Sequence, residues 1–345
     1  MKKQLSVILI ATLGLGSVWA GNPDRAGSAG ASQLLINPWA ASNGLVGANM
    51  ASIQGLESVF TNVAGLCFID KNELITANSQ YLGGSGISLN SVGFATRVGD
   101  AGVLGITVTS MKFGDIPITT EDLPEGGIGT FSPNFSNIGV SYSKEFSNSI
   151  YAGFTLRIIS ESISNVKASG IAFDAGIRYV TGEDDKMRFG ISLRNVGPPM
   201  RYAGDGLTTS ATPQGSPNSL TVLQRSERYE LPSLVNIGIA YDIVNSDKMV
   251  LELNGMFTSN SFTKDQFGFG VETRIGDNLE LRAGYLWEQG IFSEDNLTTA
   301  YTGPAGGLTV KVPTGSTGSV IGLDYSYRTT NPFSGTHSVG VKIAI

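Results

Sequence analysis

His337 is the only histidine of the chain, and Ser338 follows it directly. A serine hydrolase would need those two side chains within hydrogen-bond reach of each other, with an acid to orient the imidazole. Both lie at the start of an alternating segment, His337-Ser-Val-Gly-Val-Lys-Ile-Ala-Ile, that reads as a strand. Neighbours in a strand point to opposite faces, so the pair cannot form. Cys67 is the only cysteine. One His and one Cys cannot assemble a zinc or copper site from the usual ligands, and a single Cys allows no intramolecular disulfide. Glu183-Asp184-Asp185 is acidic but lacks the repeated oxygen-ligand spacing of a calcium loop, so it reads as a solvated turn. Gly83-Gly84-Ser85-Gly86 precedes no helical pattern and is a turn rather than a phosphate cradle. Neither an enzyme activity nor a cofactor is expected.

What remains is a constellation of charges at strand centres. Arg157, Asp174, Arg178, Arg188, Arg194, Glu252, Glu272, Arg274, Glu280, Arg282 and Asp324 all fall on the less apolar face of an alternating segment. Their mixed signs favour a salt-bridged, plugged interior over a strongly ion-selective pore. Two roles stay open for them: holding an internal segment to a wall, or lining a polar conduit.

The elements that must position these charges are strands. Ile150, Ala152, Phe154, Leu156 and Ile158 alternate with Tyr151, Gly153, Thr155 and Arg157. Leu279, Leu281, Ala283, Tyr285 and Trp287 alternate with Glu280, Arg282, Gly284 and Glu288 in the same way. Candidate strands fall at 72–82, 87–98, 102–112, 136–146, 150–160, 170–181, 187–196, 232–243, 248–258, 266–275, 279–289, 318–328 and 336–345. A soluble sandwich alternates too. Three features point instead to a membrane barrel: a Gly-rich polar face carrying charges of both signs, aromatics near strand ends (Tyr179, Tyr241, Tyr285, Trp287, Tyr325, Tyr327), and connections alternating between short and long. Short turns lie at 99–102, 147–149, 182–185, 245–247 and 276–278. Long excursions lie at 113–135, 197–231 and 290–305, with moderate ones near 160–169 and 259–265. Thirteen strands would leave the C-terminus outside the cell. Gly306-Gly-Leu-Thr-Val-Lys-Val312, followed by Pro-Thr-Gly-Ser, supplies the fourteenth and puts both termini in the periplasm. The expected fold is therefore all-β: a transmembrane antiparallel barrel of about fourteen strands, closed because no unpaired edge can face lipid.

Residues 1–20 read as a signal peptide. Lys2 and Lys3 precede an apolar stretch from Leu5 to Val18, and Val18-Trp19-Ala20 supplies a small-residue cleavage site. No later run is long enough for a membrane helix. Without Lys2 and Lys3 the chain keeps 21 of its 23 basic residues against 29 acidic ones, a net charge of −8, which argues against nucleic acid. With 45 glycines and 15% charged residues, the composition suits closely approaching β backbones. Residues 21–70 are small and mildly apolar, interrupted by Pro23, Pro38 and Trp39. A fourteen-stranded lumen is wide enough to need filling. The expected domains are thus the signal peptide 1–20, an N-terminal hatch 21–70 with one or two short helices, and the barrel 71–345. The alternative for 21–70 is a periplasmic tail.

Asn22-Pro-Asp-Arg-Ala-Gly-Ser-Ala-Gly-Ala-Ser, Asn37-Pro-Trp-Ala and Asn43-Gly-Leu-Val-Gly-Ala-Asn resemble the hatch of the PorV/PorQ family of Bacteroidetes outer-membrane proteins. Asn62-Val-Ala-Gly-Leu is similar to the Asn-Pro-Ala-Gly-Leu signature before the first strand of FadL-like barrels, with Val63 in place of the proline. Gly322-Leu-Asp-Tyr-Ser-Tyr and the last strand are similar as well. The resemblance spans the mature chain. It implies a FadL-like fourteen-stranded barrel in the cell outer membrane, associated with type IX protein secretion, in which such barrels accept exported cargo and shuttle it for surface attachment.

Two functions are carried forward. The first is a cargo- or translocon-binding shuttle that engages a secreted protein or the secretion translocon through its extracellular loops. The alternative is a FadL-like transporter of a hydrophobic small molecule. Both place the wall against outer-membrane lipid. The partner-binding candidates are the apolar residues of the two longest excursions: Ile116, Ile118, Leu123, Phe131 and Phe135 in one, Tyr202, Leu207, Leu223 and Tyr229 in the other. Ordered loops of that length are usually functional. These side chains could equally pack together over the lumen. A shuttle should expose apolar loop residues; a transporter should show a continuous apolar pocket beneath the loops and a strand opening sideways.

Overall fold

The computed structural model describes residues 25–345 apart from 216, 247, 294–295 and 315–318. The expected signal peptide and part of the turn after Val312 lie outside the described residues.

In chain order the strands are β1 (Asn72–Tyr81), β2 (Ile87–Arg97), β3 (Val103–Lys112), β4 (Ile116–Pro117), β5 (Thr130–Phe131), β6 (Asn134–Ser147), β7 (Ile150–Ile163), β8 (Val166–Thr181) and β9 (Met187–Val196). They continue with β10 (Thr208–Ala211), β11 (Leu220–Leu223), β12 (Leu234–Ser246), β13 (Met249–Asn260), β14 (Gln266–Ile275), β15 (Leu279–Glu288), β16 (Tyr301–Thr314), β17 (Ser319–Thr330) and β18 (Thr336–Ala344). Fourteen of them close a barrel, each antiparallel to its neighbours, with β1 paired to β18 from Glu73↔Ala344 to Gln80↔His337. The pairs β4–β5 and β10–β11 are separate hairpins within the two longest loops. Short turns crowd one end of the barrel and long loops the other, which orients the ends to periplasm and exterior respectively.

The period of two sorts side chains as the physics of a lipid-embedded wall requires. Phe154, Leu156 and Ile158 stand 45–52% exposed on the outside, while Thr155, Arg157 and Ile159, which alternate with them, are buried. Tyr179 and Tyr241 face outward near the periplasmic end, and Tyr325 towards the exterior. Because the ladder closes on itself, no row of backbone groups is left unpaired in hydrocarbon.

Residues 25–70 lie inside the barrel as short helical turns. These are α1 (Ala40–Asn43), α2 (Ser58–Thr61) and 3₁₀ turns at Ser32–Leu35, Ala48–Ala51 and Val63–Phe68. Trp39, Leu45, Met50, Leu56 and Leu66 are almost wholly buried between this plug and the wall. Asn62 explains the Asn62-Val-Ala-Gly-Leu motif: its Oδ1 accepts from Ala64 N at 3.2 Å, capping the last 3₁₀ turn, and its Nδ2 donates to Ile177 O at 3.1 Å. A Cβ at Gly176 would stand 2.1 Å from that Asn62 Oδ1, so glycine on the wall makes room for the plug.

Three expectations need correcting. The moderate excursion near 160–169 is a two-residue turn, Ser164-Asn165, because β7 and β8 pair as far as Ile163↔Val166. The strand expected from Gly306 is longer, with a register shift between Tyr301 and Ala305 that absorbs Gly303 and Pro304. The barrel begins and ends at the periplasmic end, but the first described residues of the chain lie at the other end. Arg25 pairs with Glu230 at 2.7 Å and lies 4.3 Å over the Phe262 ring, both at the exterior end. Gly30 N donates to Glu230 O at 3.0 Å. The plug therefore runs from the exterior downwards, and β1 starts where it finishes.

Candidate functional site

The interior has two unlike halves separated by the plug. At the exterior end, Ala31 and Leu34 of the plug pack with Ile159, Ala168 and Ala172 of the wall and with Met200 and Leu231 of the longest loop. That loop folds back over the lumen, since Met200 and Tyr229 exchange backbone hydrogen bonds at 2.9 Å and Lys167 bridges to Ala203. Tyr202 and Tyr229 pack against the same cluster, their rings 5.7 Å apart. Both phenols donate to Glu161, which is 1% exposed, at 2.5 and 2.9 Å, and Gln33 Nε2 donates to the other carboxylate oxygen at 2.7 Å. Burial and the Glu161 carboxylate push both phenol pKa values up. Glu161 thus joins plug, wall and loop at one buried point.

The remaining loop candidates are placed differently. Ile116, Ile118, Leu123 and Leu223 are exposed, from 38% to 65%. Phe131 pairs with Ile116 in the β4–β5 hairpin, and Leu207 is half-buried. Phe135 starts the inner face of β6 and packs edge-on against Phe113 at 4.8 Å.

At the periplasmic end lies a polar cavity of about 750 Å³. The inward charges on β9 and β12 to β16 line it or stand beside it as one chain of ion pairs. Arg188 bridges Asp242 and Glu252. Arg274 lies 3.5 Å from Glu252 and 3.6 Å from Glu272. Arg282 bonds Glu272 at 2.8 Å and also Glu280, which Lys311 shares. Asp324 accepts from Thr309, and Lys342 pairs with Glu73 at 3.1 Å. The plug answers with Glu57, which accepts from Ser42 N at 3.1 Å. Burial first, then the Asp324 carboxylate, push Glu57 up to about 7, against the pull of Lys342 and Arg282.

On the opposite arc the arginines reach plug backbone. Arg157 pairs with Asp174 at 2.7 Å and donates to Val59 O at 3.1 Å. Arg178 donates to Ile53 O and lies over the Phe68 ring. Arg194 donates to Leu34 O at 3.1 Å and stacks on Phe60 at 3.9 Å. Arg97 closes the lower end on Cys67 O, Ile69 O and Asp70 O. Carbonyls of the irregular plug have no helical partners, and guanidinium forks supply them. Between plug and wall, Leu34, Ile36, Trp39, Val59 and Phe60 face Thr107, Thr109, Asn137 and Arg157 across a seam with almost no free space.

Sequence reasoning did not single out Glu57, Glu73, Arg97, Glu161, Asp242, Lys311 or Lys342. All but Glu57 continue the inward parity of their strands, so extending the alternation to the strand ends would have found most of them. Glu57 sits beside a four-residue helix, too short for any periodic signal. His337 faces outward, its Nδ1 2.9 Å from Tyr325 Oη, whereas Ser338 points inward and bonds Ser79 at 2.7 Å. Among the described residues no group of three or more His, Cys, Asp or Glu could hold a metal ion.

No known family model matches the chain, and no curated protein does. Solved structures do. The toluene transporter TodX of Pseudomonas putida aligns with a TM-score of 0.56 at 11% identity, over 89% of this chain and 97% of that one. The CymD monoaromatic hydrocarbon channel aligns at 0.52 and 12%, over 90% and 97%. A Pseudomonas aeruginosa FadL homologue aligns at 0.50 and 12%, over 88% and 96%. The fold is that of a FadL-like outer-membrane barrel, and the outer membrane is where the chain resides.

Proposed function

We propose that the chain is a plugged passage for small hydrophobic molecules across the outer membrane. The observation that carries this reading is the stacking of three layers along the barrel axis. An apolar cluster lies beneath the exterior loop, a seam between Leu34, Ile36, Trp39, Val59 and Phe60 of the plug and the polar Thr107, Thr109, Asn137 and Arg157 of the wall follows, and a polar cavity opens to the periplasm. An apolar solute would leave water at the first layer, and a wet vestibule would receive it at the last. TodX and CymD, which share the fold, carry toluene and monoaromatic hydrocarbons by name. The passage is shut as it stands. The seam is closed, no continuous apolar pocket runs beneath the loops among the described residues, and the β1–β2–β3 ladder is unbroken. Transport then requires the plug to shift against the wall.

The test is entry of labelled toluene into cells of a host that lacks barrels of this type. The wild-type chain should speed entry over empty membranes. Ala172→Trp, filling the exterior cluster, should abolish the gain while the barrel still resists heat in detergent gels. Equal entry with and without the wild-type chain would overturn the proposal.

A second reading has its own observation. Ile116, Ile118, Leu123 and Leu223 are exposed on hairpins that project from the exterior end. Apolar groups held out on ordered hairpins suit a PorV/PorQ-like docking role towards secreted cargo or a type IX translocon. Deleting 117–130 should then leave the barrel assembled and abolish copurification of a partner from native membrane. A deletion that keeps the partner but stops toluene entry favours the passage.

A further inference from the structure

The outer wall is not uniformly apolar at membrane depth. Up from its periplasmic end, β1 presents Leu74 and then Thr76, Asn78 and Gln80 to the outside. Asn90 on β2 stands directly across from Asn78, and Ser110 on β3 directly across from Asn90. Counted from their periplasmic strand ends, Asn78, Asn90 and Ser110 are level, to within a residue, with Leu156, Leu193 and Phe269, which are exposed and apolar. A lipid-facing apolar band is about 25 Å tall, so each tilted strand should give it several apolar residues in succession. β1 gives one. The small polar side chains leave a groove of about 470 Å³, edged by Val92, Val108, Val339 and Val341. The ladder beneath it is complete, so the groove belongs to the outer surface and is not a doorway to the lumen.

Asn78 Nδ2 donates to Asn90 Oδ1 at 2.7 Å. That leaves Asn78 Oδ1 and Asn90 Nδ2, on exposed side chains of the outer face, with no partner among the described residues. Flipping both amides changes nothing, because the pair always keeps one free carbonyl and one free N–H. Each unsatisfied group costs several kcal/mol in hydrocarbon. Lipid tails offer nothing to either group. A second copy turned by a two-fold axis offers both, because the free N–H of one pair meets the free carbonyl of the other and the reverse holds simultaneously. That is the contact an isologous interface requires. The patch carries no net charge to repel its own image, and small outward side chains let two walls approach closely.

We infer that the chain forms a two-fold dimer in the membrane through the β1–β2 face, with Asn78 and Asn90 at its centre. The test is extraction of the full chain in native-lipid nanodiscs with a polymer rather than detergent, followed by mass measurement. The wild type should run as two copies. Asn78→Leu with Asn90→Leu should convert it to one copy that still resists heat in gels. In a Cys67→Ser background, Val92→Cys should cross-link between copies with a bifunctional thiol reagent, whereas Ile239→Cys on the far wall should not. A single wild-type copy, one copy bound to a different protein, a double variant that stays paired, or equal cross-linking at both cysteines would each overturn the inference.

Discussion

Gln33 in the plug donates a 2.7 Å hydrogen bond to Glu161 on β7, and that carboxylate also receives the Tyr202 and Tyr229 hydroxyls from the exterior loop. Glu161→Ala leaves three donors facing a space with no acceptor. An unsatisfied buried donor costs about 1–3 kcal/mol. Loop 197–231 should become cleavable by protease on intact cells, while the barrel keeps its heat resistance. The raised phenol pKa values set the pH range of the latch. A group whose folded pKa lies above its unfolded value stabilises the fold fully below the unfolded value, about 10 for tyrosine, and loses that stabilisation only as pH rises through the folded one. Protection of the loop should thus be constant from neutral pH to mild alkali; cleavage appearing below pH 9 would contradict this.

Glu57 gives the plug a different pH dependence. Its carboxyl is pushed up to about 7, so the folded state favours the protonated form. The stabilisation is complete below the ordinary carboxyl range and fades as pH rises through about 7. The temperature at which the barrel loses heat resistance should fall between pH 5 and 8. Glu57→Gln, which keeps an acceptor for Ser42 N–H, should flatten that profile and raise the pH 8 end.

Arg178 and Arg194 hold plug carbonyls without a carboxylate of their own, and each keeps an unpartnered buried N–H. Arg178→Met and Arg194→Met together remove two tethers while preserving bulk against Phe68 and Phe60. Replacing a poorly compensated buried charge by an apolar group is often neutral or stabilising. Heat resistance should hold or improve, and conductance in planar bilayers should rise as the plug loosens. Unchanged conductance with unchanged stability would show that other contacts hold the plug.

Topology is checked from outside the cell. An epitope placed at Gly27, two residues after the Arg25 that meets Glu230 and Phe262, should be reachable on intact cells, as should insertions at Gly126 and Gly215. One at Asp184 should not, because the β8–β9 turn lies at the periplasmic end.

The faces of the wall are checked by charge. Phe154→Arg should impair insertion, approaching the cost of about 2–4 kcal/mol for a midplane lipid-facing cation, and Leu281→Arg, nearer the periplasmic end of β15, should impair it less. Thr155 is fully buried against Ser141, 2.8 Å away, so Thr155→Arg overpacks the interior and is not the milder substitution its polar face would suggest.

Alternation in segments such as Ile150–Ile158 and Leu279–Trp287 was enough to assign inner and outer faces, because strand side chains have a strict period of two. The alternation of short and long connections was enough to count fourteen strands by parity. Both are local properties, printed along the chain. Which inward charges meet is not local. Arg188 finds Asp242 and Glu252 only because ladder register sets β9, β12 and β13 side by side at one height. The plug was legible as small, mildly apolar filler but not as a path, because turns of four to six residues carry no periodic signal. Its direction, with Arg25 at the exterior rim, follows from where wall guanidinium groups and Asn62 hold its carbonyls and turns. Those partners lie far off in sequence and are brought together only by closure of the barrel.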